Sequence, residues 1–236
     1  IQIADDVANQ RIMPSHEWGV ASPVAGDVFV PPPTASLIVV SDLDDTAMDT
    51  ESLRHFEVVR KVIFASARKR LPVAGVPDLY RRLQLGVSGV NDNPICYISS
   101  GAWNLYDHVV DYLDVHQLPK GAVYLNDWGS RGRTFHTVGH SHKSTHVSQL
   151  LARFSALPFL LVGDDIFEDP ELYAAIAERN SHRIAAIWIR VVRNDAARLG
   201  EIERLRPALR AAGTELVVAA HSAAFAEHAR ACGWIA

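Results

Sequence analysis

Leu37-Ile38-Val39-Val40-Ser41-Asp42-Leu43-Asp44-Asp45-Thr46 is the stretch on which the fold turns. Leu37 to Val40 is an unbroken aliphatic run, the mark of a strand buried on both faces. Acids follow at once at i and i+2, Asp42 and Asp44. They leave a strand on the same side, where each ionised carboxylate disfavours the other's charge unless a cation lies nearby. Similar apolar runs recur at Ile95 to Ser99, Ala122 to Leu125, Phe159 to Gly163, Ile184 to Arg190 and Glu215 to Ala219. Amphipathic stretches separate them at Glu51 to Arg70, Trp103 to Val115, Thr145 to Phe154, Pro170 to Arg179 and Ala197 to Ala212. This alternation predicts an α/β fold, a three-layer, doubly wound and mostly parallel sheet. Ligands of such sheets bind outside the carboxyl ends of the strands, so the loops after these runs hold the candidate site residues.

Composition bounds the rest. Of 236 residues, 48% are hydrophobic and 21% charged, which excludes a disordered or fibrous chain. The net charge of −4 offers no basic footprint, so no nucleic-acid partner is expected. Two cysteines, Cys96 and Cys232, make no disulfide framework, which suits a reduced cytoplasmic setting. No apolar run approaches the roughly 18 residues of a membrane span. Residues 1–35, with Pro14, Pro23 and Pro31 to Pro33 and one plausible strand at Gly26 to Val30, read as an irregular arm or the remnant of an upstream module. Residues 36–236 read as the main domain, with a helical insertion over 47–93.

A second acidic group follows the fourth run: Gly163-Asp164-Asp165-Ile166-Phe167-Glu168-Asp169-Pro170. Asp169 before Pro170 has the form of a helix N-cap, whereas Asp164 has no such explanation. Carboxylates from separate strand ends supply the hard oxygen ligands that Mg2+ takes. Ser99 and Ser100 end the second run, where a hydroxyl either caps the next helix or binds a phosphate oxygen. Lys143 lies just ahead of the stretch at Thr145, an unfavourable place for a cation at a helix start, and so reads either as the partner of a carboxylate or phosphate or as a surface lysine on a loop. His136, His140, His142 and His146 are possible zinc ligands, but on a Gly- and Ser-interrupted segment they read as surface residues.

Asp42-x-Asp44-x-Thr46, Ser99, Lys143 and Gly163-Asp164, in that order, resemble the four motifs of the haloacid dehalogenase superfamily. The segment from Ser41 to Arg190, about two-thirds of the chain, is similar to the catalytic domain of the actin-patch-associated phosphatidate phosphatases. The resemblance is carried also by Asn93-Pro94, Tyr97-Ile98-Ser99-Ser100, Trp103-Asn104-Leu105-Tyr106, Asp127-Trp128-Gly129, His142-Lys143, Asp169-Pro170-Glu171-Leu172-Tyr173 and Ile189-Arg190. Three positions depart from the family pattern: Gly101-Ala102 for Ser-Pro, Asn126 for an arginine, and Asp165 for a serine. Losing a base and gaining an acid both weaken attraction for an anionic head group.

The resemblance implies a Mg2+-dependent phosphatase working through an aspartyl-phosphate. Asp42 is then the nucleophile and Asp44 the acid and base. Ser99, Ser100 and Lys143 bind phosphate, and the metal is held by Asp42, Asp164 and the Asp44 main-chain carbonyl, with Asp165 and Asp169 ligating metal waters or orienting Lys143. The insertion over 47–93 is too short for a large cap domain. Between Glu51 and Arg82 it carries eight bases against three acids, which suits peripheral contact with an anionic membrane or, equally, a solvated helix face. The implied substrate is phosphatidate, recognised at its phospholipid head group. A soluble phosphorylated small molecule, or a non-catalytic phosphate-binding module on the same fold, are the alternatives.

Overall fold

The computed structural model describes residues 29–44, 46–47, 71–126 and 135–236, without the side chains of 135–141. The chain divides into two compact units, Ile1–Val30 and Pro31–Ala236, and the architecture is that of the second. The expected strand at Gly26 to Val30 falls mostly, and the expected helix at Glu51 to Arg70 wholly, outside the described residues, as do most bases of the insertion. Residues 31–35, expected to belong to the arm, fall in the second unit, next to Ser36. Thr34 Oγ1 donates to Asn91 O at 3.2 Å and Ser36 N to Asn93 Oδ1 at 2.8 Å.

Six strands form one sheet: β1 (Ile38–Asp42), β2 (Ile95–Ala102), β3 (Ala122–Asn126), β4 (Phe159–Asp164), β5 (Ile184–Arg190) and β6 (Glu215–Ala219). Every pairing is parallel and the order is β3-β2-β1-β4-β5-β6. The helices are α1 (Val76–Leu85), α2 (Tyr106–Val115), α3 (Phe135–Arg153), α4 (Asp169–Arg179), α5 (Ala196–Glu203), α6 (Arg206–Ala211) and α7 (Ser222–Ala231). The alternation of side chains along each strand sorts the core into two layers. Leu37, Val39, Leu160, Val162 and Trp188 pack with α1, α2 and α7. Ile38, Val40, Phe159, Leu161 and Ile187 pack with α3, α4, α5 and α6. The chain builds outward from β1 to β3, then returns to pair β4 with β1. The reversal opens a crevice between the carboxyl ends of those two neighbours.

Three elements depart from the sequence reading. Helix α3 starts at Phe135, well before the expected Thr145, because packing of its later turns, with Val147, Leu150 and Leu151 buried, outweighs the weak propensity of the Gly-, Ser- and His-rich start. The amphipathic stretch Ala197 to Ala212 breaks into α5 and α6. Pro207 cannot bond back to Glu203 and instead stands in the first turn of α6. Helix α7 was not expected. Its Phe225 stacks on Trp188, with ring centroids 5.1 Å apart, and covers that end of the first core layer.

Asn93 joins α1 to β1. It is 1% exposed; its Oδ1 accepts from Ser36 N and Leu37 N, and its Nδ2 donates to Leu83 O at 2.7 Å. Asn93→Ala leaves buried main-chain donors and an acceptor without partners. It should lower stability by about 2–3 kcal/mol, read as a fall in the urea midpoint at constant m-value.

Candidate active site

Strand β1 ends with two side chains on opposite faces. Ser41 turns into the first core layer, where it shares a 2.6 Å hydrogen bond with Tyr80 Oη of α1 and donates to Asp42 O. Asp42 turns to the other side, is 3% exposed, and lies 2.9 Å from Lys143 Nζ, outside hydrogen-bonding alignment. Lys143 Nζ also donates to Asp169 Oδ1 at 2.6 Å. Asp164, at the end of β4, accepts from Thr46 Oγ1 at 3.2 Å and from Ile166 N at 2.8 Å. Ligand oxygens of Asp42, Asp164 and Asp169 all lie within 4.8 Å of one another.

The charges of this cluster interact strongly. Burial pushes the Asp42 carboxyl well above the usual carboxylate range; Lys143 works against this, while Asp169, Asp164 and Asp44 add to it. Burial alone would lower the Lys143 pKa, but Asp169, Asp42, Tyr173 and Asp164 outweigh it and hold the ammonium charged. Lys143 offsets one of three buried negative charges. Asp169 Oδ2 is buried with no hydrogen-bond partner among the described residues. Gly163 makes the room: a Cβ there would stand 2.6 Å from Asp169 Oδ2 and 2.9 Å from Tyr173 Cε2. Three hard oxygen donors, two of them (Asp42 and Asp169) with a buried oxygen that makes no hydrogen bond among the described residues, fit a divalent cation of the Mg2+ or Ca2+ type.

Asp44 and Ser99 lie at the same end of the sheet. Ser99 Oγ donates to Asp44 Oδ2 at 2.8 Å and accepts from Gly101 N at 2.9 Å, so the residue expected on phosphate orients the expected acid–base. Ser100, half-buried, follows it on β2. Asp165 turns away from the cluster: its Oδ1 accepts from Val192 N at 2.7 Å and Arg193 N at 3.2 Å, and its buried Oδ2 has no hydrogen-bond partner among the described residues.

Two placements correct the sequence reading. Lys143 lies well inside α3 rather than ahead of a helix, so its position follows from the facing carboxylates and not from a helix start. Asp169 is the first residue of α4, not its cap, which is Glu168; its carboxylate serves Lys143. Thr46 stands in the quoted motif, yet no role was read for it; the i, i+2, i+4 spacing after β1 was the available signal.

The four histidines fall within α3 rather than on a loop, with the side chains of His136 and His140 outside the described residues. His142 and His146 pack edge to face at 4.3 Å between centroids, and Tyr124 of β3 lies 4.7 Å from His146. A second cluster, Glu215, His228 and Cys232, has metal-ligand residue types. There Trp188 Nε1 donates to His228 Nδ1 at 3.2 Å, leaving the ring proton on Nε2, which faces Glu215 Oε2 at 2.8 Å. Both ring nitrogens are engaged in hydrogen bonds, so the group reads as a structural network.

Comparison with known proteins adds the class. Residues 37–191 match the family described as Phosphatidate phosphatase APP1, catalytic domain, a family of phosphoric monoester hydrolases. The chain belongs to this family. Phosphatidate phosphatase APP1 of Saccharomyces cerevisiae (strain ATCC 204508 / S288c) is 26% identical over 157 residues, covering 66% of this chain and 26% of that protein. An uncharacterized protein of Schizosaccharomyces pombe (strain 972 / ATCC 24843) is 21% identical over 158 residues, covering 66% of this chain and 25% of its own length. The chain thus matches about a quarter of the length of these relatives.

Two outcomes follow from the geometry. Gly163→Ala forces Asp169 and Tyr173 aside and should cost about 1–3 kcal/mol of stability, read as a lower melting temperature. Burial first, then His146, lowers the His142 pKa from its ordinary 6.5 to about 4. The neutral ring's contribution is therefore complete above the unfolded-state pKa and is lost as pH falls toward the folded one. His142→Asn should flatten the decline in melting temperature between pH 7 and pH 4.5.

Proposed function

We propose that the chain is the catalytic unit of a divalent-metal-dependent phosphatase of the haloacid dehalogenase type, acting through an aspartyl-phosphate. The observation that carries this reading is the convergence of Asp42, Asp164 and Asp169 around Lys143 at the crevice between β1 and β4. Asp42 is the nucleophile. Its carboxylate oxygen forms a bond to phosphorus as the bond from phosphorus to the leaving oxygen breaks, and Asp44 delivers the proton to that oxygen. Asp44, now ionised, takes a proton from the water that attacks the aspartyl-phosphate and releases inorganic phosphate. Lys143 stabilises the negative charge on the phosphoryl oxygens. Ser99 holds Asp44 in place and, with Ser100, faces the phosphate. A Mg2+ held by Asp42, Asp164 and Asp169 supplies charge neutralisation between two anions.

For the substrate we favour phosphatidate. The reading is supported by the name of the yeast relative and by three exposed aromatic residues at the ligand end of the sheet. Trp103 (59% exposed) and Tyr106 (46%) follow β2, and Phe167 (38%) follows β4. Such side chains suit the boundary between head groups and acyl chains. No helix among the described residues is long and apolar enough to cross a membrane, so contact with a lipid surface is peripheral in this reading. Asn126, 5% exposed where the family pattern has an arginine, favours a second reading in which the substrate is a soluble phosphomonoester.

A phosphatase assay on phosphatidate in mixed micelles and on sugar and nucleotide monophosphates, with Mg2+ or EDTA, separates these readings. Turnover of phosphatidate that EDTA abolishes is expected. Asp42→Asn should lower kcat on the order of 10⁴-fold or more while retaining the wild-type circular dichroism spectrum. Full activity in that variant would remove Asp42 as the nucleophile, and inactivity of the wild type on every phosphoester would favour a phosphate-binding module.

A further inference from the structure

The loop from Asp165 to Glu168 joins Asp164 at the end of β4 to Asp169 at the start of α4, so its shape sets the spacing of two of the three clustered carboxylates. That loop is held from outside, by the chain beyond β5. Asp165 N donates to Arg190 O at 3.1 Å, and its carboxylate receives the two amides of Val192 and Arg193. Arg198, near the start of α5, reaches back further. Its Nε donates to Asp165 O at 3.4 Å, and one terminal nitrogen donates to Phe167 O at 2.7 Å and Glu171 Oε2 at 2.8 Å. The other donates to Glu171 Oε1 at 2.5 Å and Glu201 Oε2 at 3.2 Å. These contacts engage all five N–H groups of the guanidinium, four of them on the stretch from Asp165 to Glu171. The backbone that carries Arg198 is itself fixed, because Asp195 Oδ1 caps α5 by accepting from Ala197 N and Arg198 N.

An ordinary surface ion pair between α5 and α4 would need Glu171 alone. Arg198 instead bonds the carbonyls of Asp165 and Phe167, which belong to the loop and not to a helix. Its side chain is only 18% exposed. All of these residues from Val192 on lie past the end of the family match at residue 191. We propose that Arg198 is a positioning residue for the divalent-cation site, clamping the loop so that Asp164 and Asp169 stay close enough to share an ion; this rests on the metal reading above. Lysine cannot replace it, since an ammonium has three donors and no planar fork.

The test uses the full chain and Mg2+ alone. Arg198→Lys should raise the Mg2+ concentration at half-maximal thermal shift by about tenfold or more, the usual effect of removing a group that orients metal ligands. In the metal-free protein it should speed amide exchange at residues 165–168 and leave the β4 amides Leu160 to Val162 unchanged. The control is Arg206→Lys, which opens a similar clamp that does not bond the acid loop, since Arg206 bonds both Glu203 oxygens and Leu216 O. It should leave the Mg2+ midpoint at the wild-type value. If Arg198→Lys does not fold, Glu171→Gln, which removes the charged half of the bidentate pair, carries the same expectation. A Mg2+ response in the wild type with an unchanged midpoint in the clamp variant overturns this proposal alone. Absence of any Mg2+ response in the wild type overturns the metal reading and this proposal with it.

Discussion

Three carboxylates buried within 4.8 Å of one another repel by on the order of 3–4 kcal/mol per pair. They persist there only because something positive is present among them. Lys143 is the part of that charge which the chain itself supplies, and it bonds Asp169 while standing beside Asp42. The raised pKa of Asp42 and the orphaned oxygen of Asp169 mark the remaining imbalance. A group of this kind is weak as a source of stability. Its physical meaning is a demand for positive charge, part of which Lys143 meets, and that demand constrains the structure around it.

The sheet meets the requirement by topology. Residues far apart in sequence arrive at one point because β1 and β4 are neighbours whose connections leave in opposite directions. Asp42 comes from one strand end and Asp164 from the other, Lys143 from the helix that joins β3 to β4, and Asp169 from the helix that follows β4. The packing leaves little freedom. Gly163 is small because Asp169 and Tyr173 occupy the space where a side chain would go. Ser41 Oγ donates to the carbonyl of Asp42 and meets Tyr80 Oη in the first core layer, while strand alternation directs the Asp42 carboxylate to the second.

The support of the site does not stop where the family match stops. Beyond residue 191 the chain adds α5, α6, β6 and α7, and parts of this addition press on the acid loop while others close the core around Trp188. Asp165 illustrates the point. As an acid beside Asp164 it resembles a further metal ligand, yet its Oδ1 takes the amides of Val192 and Arg193. A residue type that departs from the family pattern is thus tied to a segment outside that pattern.

The parallel α/β class, the six strands and the location of the acids at strand ends were legible in the residues themselves. Apolar runs and turn chemistry are local properties, and a buried parallel strand followed by Asp-x-Asp is distinctive even without a partner. The early start of α3, the break at Pro207 and helix α7 were not legible in the same way, because packing against the sheet overrode weak local signals in two of them. Lys143 is the clearest case: a negative partner was read from its supposed place at a helix start, but its actual place within a helix, and which carboxylates it meets, depended on α3 packing over β2. Chemistry is written in residue types and their spacing along the chain. Proximity is decided by which strands become neighbours, since contacts such as Arg198 with Phe167 or Thr46 with Asp164 have no local signature and exist only once the sheet has closed.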